Sequence, residues 1–574
     1  MHEWFAIDWP LSGWVEWVSP SLVLILGALL VPVFRGVAQK LLRLAVPALA
    51  LVAVLATAPG TYASFTFLNM EVTLGRADAL SLVFAHVFAL MALIGAIYAL
   101  HVRDNVQHMA GFLYAGCAMG AVFAGDLVTL YVFWELMLFS SVWLIWRSRR
   151  AASMAAGIRY LMVHAVSGVL LLAGIVLYYT QTGNLAFDAI EVGGTAFWLI
   201  LVGFMVNAAV PPLHAWLTDA YPEATVTGAV FLSAFTTKTA VYTLMRGFPG
   251  TEALIWLGAL MTLWGVTYAV LANNIRRLLA YHIVSQVGFM VTGIGLGTAM
   301  ALNGSAAHAF AHILYKALLF MSAGAIIHMT GRAKLTELGG LYRYMPLTFL
   351  FYMIAAFSIS AFPLTSGFVS KTMILEAYAD HQAAIVWLML SLASAGTFLS
   401  VGLKLPWFAF LNRDAGLRPR EAPVNMLIAM GIAAFFCIYI GVQPQSLYQL
   451  LPHQPVDYSA YTASHVLWDL QLLLFVGLAF FVLLRYMAPK DRITLDTDWL
   501  YRRAGPVMVR FVHHYGTLAW HRVLALLRWP LRLIAYEARL YHGPRGVLAR
   551  TWPTGSMVLW VAILLILSLA LYYV

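Results

Sequence analysis

The stretch Ser305–Ile327, with the sequence SAAHAFAHILYKALLFMSAGAII, decides the fold class of this chain. It is an apolar run long enough to cross a bilayer as one helix. Three titratable side chains lie within it at steps of four residues: His308, His312 and Lys316. On a helix each step rises about 6 Å and turns by only about 40°, so the three form a ladder along one face. Because titratable residues within spans usually serve function, we interpret the ladder as a proton relay.

Two other interpretations of the ladder stay open. His308 and His312 have the spacing of a shared zinc site, but Lys316 would repel the cation, and no cysteine or acidic residue lies on that face. Alternatively, both histidines pack against neighbouring helices through ordinary hydrogen bonds. The relay fits the pattern better, because a water-bridged relay needs adjacent titratable groups and a packed core does not.

Composition extends the membrane interpretation to the whole chain. Of its 574 residues, 62% are hydrophobic and 10% are charged, and the mean hydropathy is +0.83, which excludes a soluble domain. Cys117 and Cys437 both lie in apolar stretches, so neither a disulfide framework nor a cysteine metal site is expected. We therefore expect no redox chemistry, no bound metal and no cofactor in this chain.

Apolar runs recur along the sequence and predict an all-α polytopic membrane protein with about sixteen transmembrane helices. The first run follows Glu3 and Asp8 instead of the basic stretch of a signal peptide, so we expect it to be retained. The predicted spans are 22–33, 44–65, 79–100, 109–125, 127–146, 160–180, 196–217, 226–245, 253–272, 279–301, 305–328, 346–376, 384–411, 424–442, 466–486 and 557–574.

The charges of the loops predict the orientation of these spans. Lysine and arginine cluster in the loops that follow spans 1, 3, 5, 9, 11, 13 and 15, whereas the alternate loops carry Glu191, Glu252, Asp380 and Asp457. Cytoplasmic loops hold the basic excess in membrane proteins, so this alternation places the N-terminus outside.

Residues 490–550 differ from the spans around them. Eleven lysine and arginine residues stand there against four acidic residues, and apolar residues recur at helical spacing. The pattern predicts an amphipathic lateral helix on the cytoplasmic face, which contacts lipid headgroups and not nucleic acid. The alternative is a solvated linker whose periodicity is incidental.

Two charged residues in mid-span predict a switching pair. Glu135 has no basic neighbour in sequence, and an isolated buried carboxylate would take up a proton, so it needs a cationic partner from another helix. Lys238 is the natural candidate, although a static ion pair that pins two helices is the alternative. We count Glu135 as the one acidic residue in mid-span, too few oxygen ligands for a sodium site.

Prolines predict that two spans are broken. Pro211-Pro212 interrupts the seventh span, and Pro363 with Gly367 interrupts the twelfth, just before Lys371. Paired interruptions are typical of inverted-repeat transporters, and here each falls in the fourth helix of a five-helix unit. The predicted organisation is N-terminal helices at 1–108, a first unit at 109–246, a second at 253–411, further helices at 424–486, the basic helix at 490–550 and a final span at 557–574.

These motifs together resemble one family. Over about residues 75–440 the chain is similar to the antiporter-like subunits that Mrp-type cation/proton antiporters share with respiratory complex I, and most similar to the D subunit of the Mrp complex. The motifs that carry the resemblance are Phe-Trp-Glu135-Leu, Pro212-Leu-His214-Ala-Trp216-Leu, Lys238-Thr-Ala-Val-Tyr, Ala280-Tyr-His-Ile-Val-Ser285-Gln-Val-Gly-Phe, His308-x3-His312-x3-Lys316 and Gly367-Phe-Val-Ser-Lys371.

The resemblance implies a hydrated polar axis at the membrane midplane. It runs from Glu135 through Lys238 and the ladder to Lys371. Secondary positions on it are His214, Ser285, His328 and Lys404. One position departs from the family pattern: where the family has a lysine five residues before its Pro-Leu-His motif, this chain has Asn207, which cannot carry a proton.

The resemblance further implies a proton-translocating subunit of a multisubunit Na⁺/H⁺ antiporter in a bacterial inner membrane, without catalytic chemistry of its own. Its expected partners are other membrane subunits, protons, and Na⁺ or another monovalent cation. Other possibilities are an antiporter-like subunit of a redox-driven complex, which would class it as a translocase, the membrane half of an inorganic-carbon uptake system, and a scaffold that has lost conduction.

Overall fold

The computed structural model describes residues 17–67, 70–191, 193–491 and 495–573. Glu3 and Asp8, which support a retained first span, lie outside the described residues, as do Arg492 in the basic segment and Val574 at the end of the predicted final span. The chain forms two compact units, one ending at Thr497 and one beginning at Asp498.

The N-terminal part contains a hairpin that the sequence did not predict. Its elements are α1 (Pro20–Leu30), α2 (Gly36–Ala56), β1 (Gly60–Phe67), β2 (Met70–Ala77) and α3 (Ala79–Ala99). The predicted second span, 44–65, is therefore wrong at its end, because the helix stops at Ala56. Pro59 and Gly60 end it, and the threonines and aromatic residues that follow favour a strand, which pairs antiparallel with β2.

The region predicted as the first five-helix unit contains the first of the two predicted interruptions. Its elements are α4 (Asn105–Phe123), α5 (Leu127–Trp146), α6 (Ala151–Thr182), α7 (Gly194–Asn207), α8 (Ala215–Ala220), α9 (Val226–Ala234) and α10 (Thr236–Gly247). The carboxylates of Asp104 and Asp126 accept hydrogen bonds from the first turns of α4 and α5. The predicted eighth span, 226–245, consists of two helices, α9 and α10.

The second five-helix unit is built around the ladder helix. Its elements are α11 (Glu252–Leu271), α12 (Ile275–Leu296), α13 (Ala299–Thr330), α14 (Pro346–Ile359), α15 (Ser366–Asp380) and α16 (Ala384–Thr397), which continues into π-helical turns at Phe398–Lys404 and Trp407–Leu411. Residues 301–326 of α13 are all buried, so its three titratable side chains face protein and not lipid.

The remaining helices of the larger unit are α17 (Val424–Val442), α18 (Gln445–Tyr448), α19 (Ala463–Val482) and α20 (Leu484–Met487). Short 3-10 turns occur at Tyr221–Glu223, Leu335–Glu337 and Leu341–Arg343. The smaller unit contains a π-helical turn at Leu500–Ala504, α21 (Gly505–His542), a 3-10 turn at Val547–Ala549 and α22 (Thr554–Tyr573). With 38 residues, α21 is about 57 Å long. Its position along a membrane surface stays a prediction.

The predicted class of helical, multi-span membrane protein is confirmed. Among the described residues, 12 helices are long and apolar enough to cross a membrane, and three shorter apolar helices accompany them: α1, α7 and α14. The number of sixteen and the inverted relation of the two units stay predictions. The numbers differ partly because an interrupted span is one apolar run in sequence but two short helices in the structure.

Candidate proton-transfer site

The first interruption lies where the prolines predict it. α7 ends at Asn207 and α8 begins only at Ala215, with Pro211 and Pro212 between them. Proline has no backbone N–H and cannot continue the hydrogen bonding of a helix. The last carbonyl groups of α7 and the first N–H groups of α8 therefore lie inside the protein. They need hydrogen-bond partners outside their own helices.

The second interruption also lies where the sequence predicts it. α14 ends at Ile359 and α15 begins at Ser366, with Pro363 between them. Gly367 allows the two half-helices to cross closely, because a Cβ at this position would overlap the carbonyl oxygen of Ser358. The close crossing of the two half-helices thus requires a glycine at position 367, one helical turn before Lys371.

Lys371 reaches from α15 back to the end of α14. Its Nζ donates to the carbonyl of Ile359 at 2.9 Å and to Oγ of Ser394 at 3.2 Å, and it lies 4.9 Å from the centre of the Phe289 ring. Ile359 is the last residue of α14, so its carbonyl carries the partial negative charge of a helix C-terminus. Among the described residues, no carboxylate lies within 4 Å of this ammonium.

Lys238 and Lys404 are held in the same way. The helix is interrupted at Phe235, between α9 and α10. Nζ of Lys238 donates to the carbonyl of Ser233 at 2.6 Å, near the end of α9. Lys404 lies in the π-helical turn after α16, and its Nζ donates to the carbonyl of Ala272 at 3.2 Å, next to the end of α11. All three ammonium groups therefore meet the negative end of a helix dipole.

The predicted contact between Glu135 and Lys238 is absent from the described residues. Lys238 is fully buried and its second hydrogen bond goes to Oγ1 of Thr237 at 3.1 Å. Glu135 is half-buried and faces α6, where a Cβ on Gly168 would overlap its Oε1. This oxygen has no hydrogen-bond partner in the described part of the chain. The sequence places both residues in mid-span but does not fix how each helix is rotated about its axis.

The ladder lies at the centre of the larger unit, and all three of its side chains are fully buried. Nδ1 of His308 lies 3.1 Å from Oγ of Ser370, which is the residue before Lys371, and Nε2 of His308 lies 3.2 Å from Oε1 of Gln286. The rings of His308 and His312 are 6.2 Å apart between centroids. His308 thus lies between the rest of the ladder and the second interruption.

The other two members of the ladder have few fixed partners. Neither ring nitrogen of His312 has a hydrogen-bond partner among the described residues, and Nζ of Lys316 makes one long contact, 3.4 Å, to the carbonyl of Leu279. A buried polar group without a partner is costly, so such groups mark places where water or a transferred proton completes the bonding. This pattern suits a relay better than histidines fixed by packing.

The departure at Asn207 creates a different contact in the first unit. Oδ1 of Asn207 lies 2.8 Å from Nδ1 of His164 and accepts from Oγ of Ser167 at 3.1 Å. Nε2 of the buried His164 has no partner in the described residues. His164 and Gly168, which faces Glu135, lie four residues apart on α6, so they share a face. The sequence reasoning missed His164, although its place in an apolar span was a signal.

His214 starts α8 and contacts a carboxylate that the sequence did not predict. Its Nε2 lies 3.1 Å from Oδ2 of Asp496, which also accepts from the hydroxyl of Tyr281 at 2.7 Å. The indole N–H of Trp264 donates to the same Nε2 at 3.0 Å. One ring nitrogen cannot both donate to Asp496 and accept from Trp264, so the tautomer of His214 decides which of the two hydrogen bonds forms. Burial raises the pKa of Asp496, but the hydrogen bonds from His214 and Tyr281 outweigh it and lower the pKa below its ordinary value.

The remaining predicted positions are not part of one contiguous cluster. Ser285 is buried in α12, and its hydroxyl has no partner in the described residues. The ring of His328, near the end of α13, lies 5.1 Å from that of His101 between centroids, tilted by 58°. Neither residue forms a hydrogen bond to the ladder among the described residues.

The sequence reasoning missed one acidic residue near the start of a predicted span. Asp469 lies in the second turn of α19, inside the predicted span 466–486, and it is 5% exposed. Its place four residues after His465 was the available signal. Among the described residues, no group of three or more histidine, cysteine or acidic side chains is arranged to hold a metal ion.

The chain is similar in sequence to several known proteins. Residues 124–400 match the family described as NADH:quinone oxidoreductase/Mrp antiporter, transmembrane region. The chain is 29% identical over 510 residues to the A/B subunit of a probable K(+)/H(+) antiporter of Rhizobium meliloti, covering 80% of this chain and 49% of the relative. It is 34% identical over 314 residues to the D subunit of a Na(+)/H(+) antiporter of Alkalihalophilus pseudofirmus, covering 51% and 61%.

A solved structure shares the fold. A chain of the Mrp complex from Dietzia sp. DQ12-45-1b matches with a TM-score of 0.68 and 24% identity, over 78% of this chain and 99% of that one. The apolar helices of the described residues and this shared fold define a helical, polytopic membrane protein. Within residues 124–400 the chain is therefore similar to the transmembrane region that Mrp antiporters share with NADH:quinone oxidoreductase. It spans about half the length of the curated A-type relatives it matches.

Proposed function

We propose that this chain is the proton-translocating membrane subunit of a multisubunit antiporter that exchanges protons for Na⁺ or K⁺. Protons would move along the axis formed by Glu135, Lys238, the ladder and Lys371. The names of two relatives, which belong to a K(+)/H(+) and a Na(+)/H(+) antiporter, support the cation class.

The observation that carries the proposal is the way the lysines are held. Lys371 and Lys238 are buried and donate to carbonyls at the ends of interrupted helices, not to carboxylates. A helix C-terminus stabilises an ammonium group by about 0.3–2 kcal/mol, far less than a desolvated carboxylate can. The lysine can therefore gain and lose its proton without leaving an unpaired buried carboxylate behind. A relay needs this property, whereas a static ion pair does not provide it.

The test uses the chain together with the subunits that co-purify with it in mild detergent. In sealed vesicles that contain this assembly and a preformed pH gradient, adding Na⁺ or K⁺ should dissipate the gradient, as followed by a pH-sensitive dye. Lys238→Ala should abolish this response, and Glu135→Ala should reduce or abolish it. An intact response in both variants would contradict the assignment of these residues to the axis.

A second candidate function is favoured by the description of the matching family, which names NADH:quinone oxidoreductase beside the Mrp antiporter. In this case electron transfer in partner subunits would drive the same axis. Co-purification separates the two, because flavin or iron–sulfur proteins would accompany the chain and its proton flux would require a reductant. Cation-dependent flux without a reductant selects the antiporter.

A further inference from the structure

A second cluster of titratable residues lies beside Lys371 and is not part of the predicted axis. Glu376 follows Lys371 by five residues on α15, and His465 and Asp469 lie four residues apart on α19, so the latter two share a face. Nε2 of His465 lies 3.1 Å from Oε2 of Glu376 and joins the two helices. The cluster therefore connects the helix that carries Lys371 with its neighbour.

Exposure rises from one member of this cluster to the next. Lys371 is 1% exposed and Asp469 is 5% exposed. The side chain of His465 is 16% exposed and that of Glu376 is 38% exposed. A set of groups that serve only as packing contacts has no reason to be ordered in this way. The order leads from the buried ammonium to the surface at the Asp380 end of α15.

Two buried oxygens in the cluster lack partners. Neither Oδ2 of Asp469 nor the hydroxyl of Tyr458 has a hydrogen-bond partner in the described part of the chain. The ring of Tyr458 stacks on His465 at 5.9 Å, and Tyr458 also lines a surface cavity of about 230 Å³ together with Asn303 and Asp457. This cavity is large enough to hold several waters. Water in this cavity can therefore reach Tyr458, whose ring stacks on His465.

Charge links the cluster to the axis. The carboxylate of Asp469 and the ammonium of Lys371 interact electrostatically, and so do Asp469 and His465. A simple tie between α15 and α19 would need only the contact between His465 and Glu376. Such a tie would not need the buried carboxylate of Asp469. A buried carboxylate oxygen without a hydrogen-bond partner costs free energy, so its presence favours a functional role.

We propose that Asp469, His465 and Glu376 form a proton port between Lys371 and the aqueous surface, an inference that rests on the proposed function. In the outward step the Lys371 ammonium gives its proton through an intervening water to the Asp469 carboxylate, which leaves a neutral amine and a carboxylic acid. Asp469 then passes the proton, again through water, to the His465 imidazole, which passes it through Glu376 to the aqueous surface. Each transfer moves one proton and no electrons, and the reverse sequence loads Lys371 from the same surface.

The experiment measures cation-driven proton flux in vesicles containing the co-purified assembly. Asp469→Asn should lower the flux at least about tenfold, because an amide cannot carry a proton. Asp469→Glu should retain flux within about threefold of the unsubstituted chain, because it keeps a titratable group there. Asp380→Asn is the matched control, since Asp380 is exposed at the end of the same helix, and it should leave the flux unchanged.

Nearer the surface, water replaces a missing side chain more easily. His465→Gln and Glu376→Gln should therefore each lower the flux by only about two- to fivefold, with a changed pH profile. Because Glu376 is half-exposed, we expect Glu376→Gln to fold and to assemble with its partner subunits. The port therefore stays testable if Asp469→Asn fails to assemble. An unchanged pH profile in Glu376→Gln, or an assembled Asp469→Asn with the flux of Asp380→Asn, overturns the port. If the unsubstituted assembly itself shows no proton flux, the proposed function fails and not the port alone.

Discussion

The two five-helix units hold their lysines alike but differ in what surrounds them. In the second unit, His308 lies within hydrogen-bonding distance of Ser370, next to Lys371, and the centre of its ring is 6.2 Å from that of His312. Titratable groups therefore follow one another closely. In the first unit, Glu135 faces a glycine and Lys238 donates to the carbonyl of Ser233 near the end of α9.

This difference bears on where the proposed proton path is continuous. The second unit contains a sequence of buried groups that each can hold a proton, with small gaps that polar side chains or water can bridge. The first unit has an amide, Asn207, where the resemblance implies a lysine, and the nearest titratable group is His164. We infer that proton transfer through the first unit is slower than through the second. We also infer that His164 replaces the lysine that is absent at position 207.

The largest expected effect comes from the middle of the ladder. His312→Ala removes the group whose two ring nitrogens have no fixed partner in the described residues, and it should lower proton flux about 100-fold or more. The measurement is dye-reported flux in vesicles containing the assembly. His381→Ala is the matched control, because His381 is an exposed histidine just after α15, and it should have no effect. Equal flux in the two variants would show that the ladder is structural.

The next effect tests whether His164 serves the first unit. His164→Gln keeps a polar side chain beside Asn207 but cannot carry a proton, so it should lower flux about tenfold. His86→Gln provides the control, since His86 is a partly buried histidine whose Nδ1 contacts the carbonyl of Leu82 in its own helix. Flux in His164→Gln within twofold of the control would remove His164 from the path.

Asn207→Lys sharpens the comparison by restoring a titratable group to the first unit. The new ammonium would face His164 and Ser167, so it should change flux about two- to fivefold and shift the pH at which flux is maximal. The flux is measured as a function of pH beside Asn207→Gln, which adds length without charge. A pH profile that coincides with that of the glutamine variant would show that position 207 is not on the path.

A smaller effect on proton flux is expected from a substitution on α6 at the contact with Glu135. In Gly168→Ala the added methyl group overlaps Oε1 of Glu135, so the carboxylate must turn away, and flux should fall about two- to threefold. Gly477→Ala is the matched control, because no atom lies within 4 Å of a Cβ added there. If both alanine variants conduct equally, the position of the Glu135 side chain does not matter to transport.

The smallest effect concerns the contact between Asp496 and His214. Because the pKa of Asp496 is lowered, its ionised form stabilises the fold above its ordinary pKa of about 3.9, and this stabilisation is lost as pH falls through the lower, folded-state pKa. Asp496→Asn should therefore lower the thermal midpoint by about 1–3 °C from pH 8 to pH 5 and by less below about pH 4. A difference of the same size at pH 8 and at pH 3 would show that the charge of Asp496 does not stabilise the fold.

The sequence predicted those features that depend on one helix at a time. Prolines and glycines located both interruptions, and the spacing of His308 and His312 placed both on one buried face. It could not predict contacts between helices, because the periodicity of one helix does not say which neighbour its face meets. The direction of Glu135 and the pairing of His214 with Asp496, 282 residues away, both depend on that packing. Asp469 was visible in its span, but its proximity to Lys371 was not.

The central claim is that buried lysines held by interrupted helices carry the protons. Its most direct test is proton flux through the co-purified assembly in sealed vesicles, with Lys371→Met compared with Lys334→Met. Lys334 is half-exposed and paired with Asp491, so its substitution keeps the axis intact. The account predicts that Lys371→Met loses about 99% or more of the flux while Lys334→Met retains it. Equal flux in the two assembled variants would contradict the account.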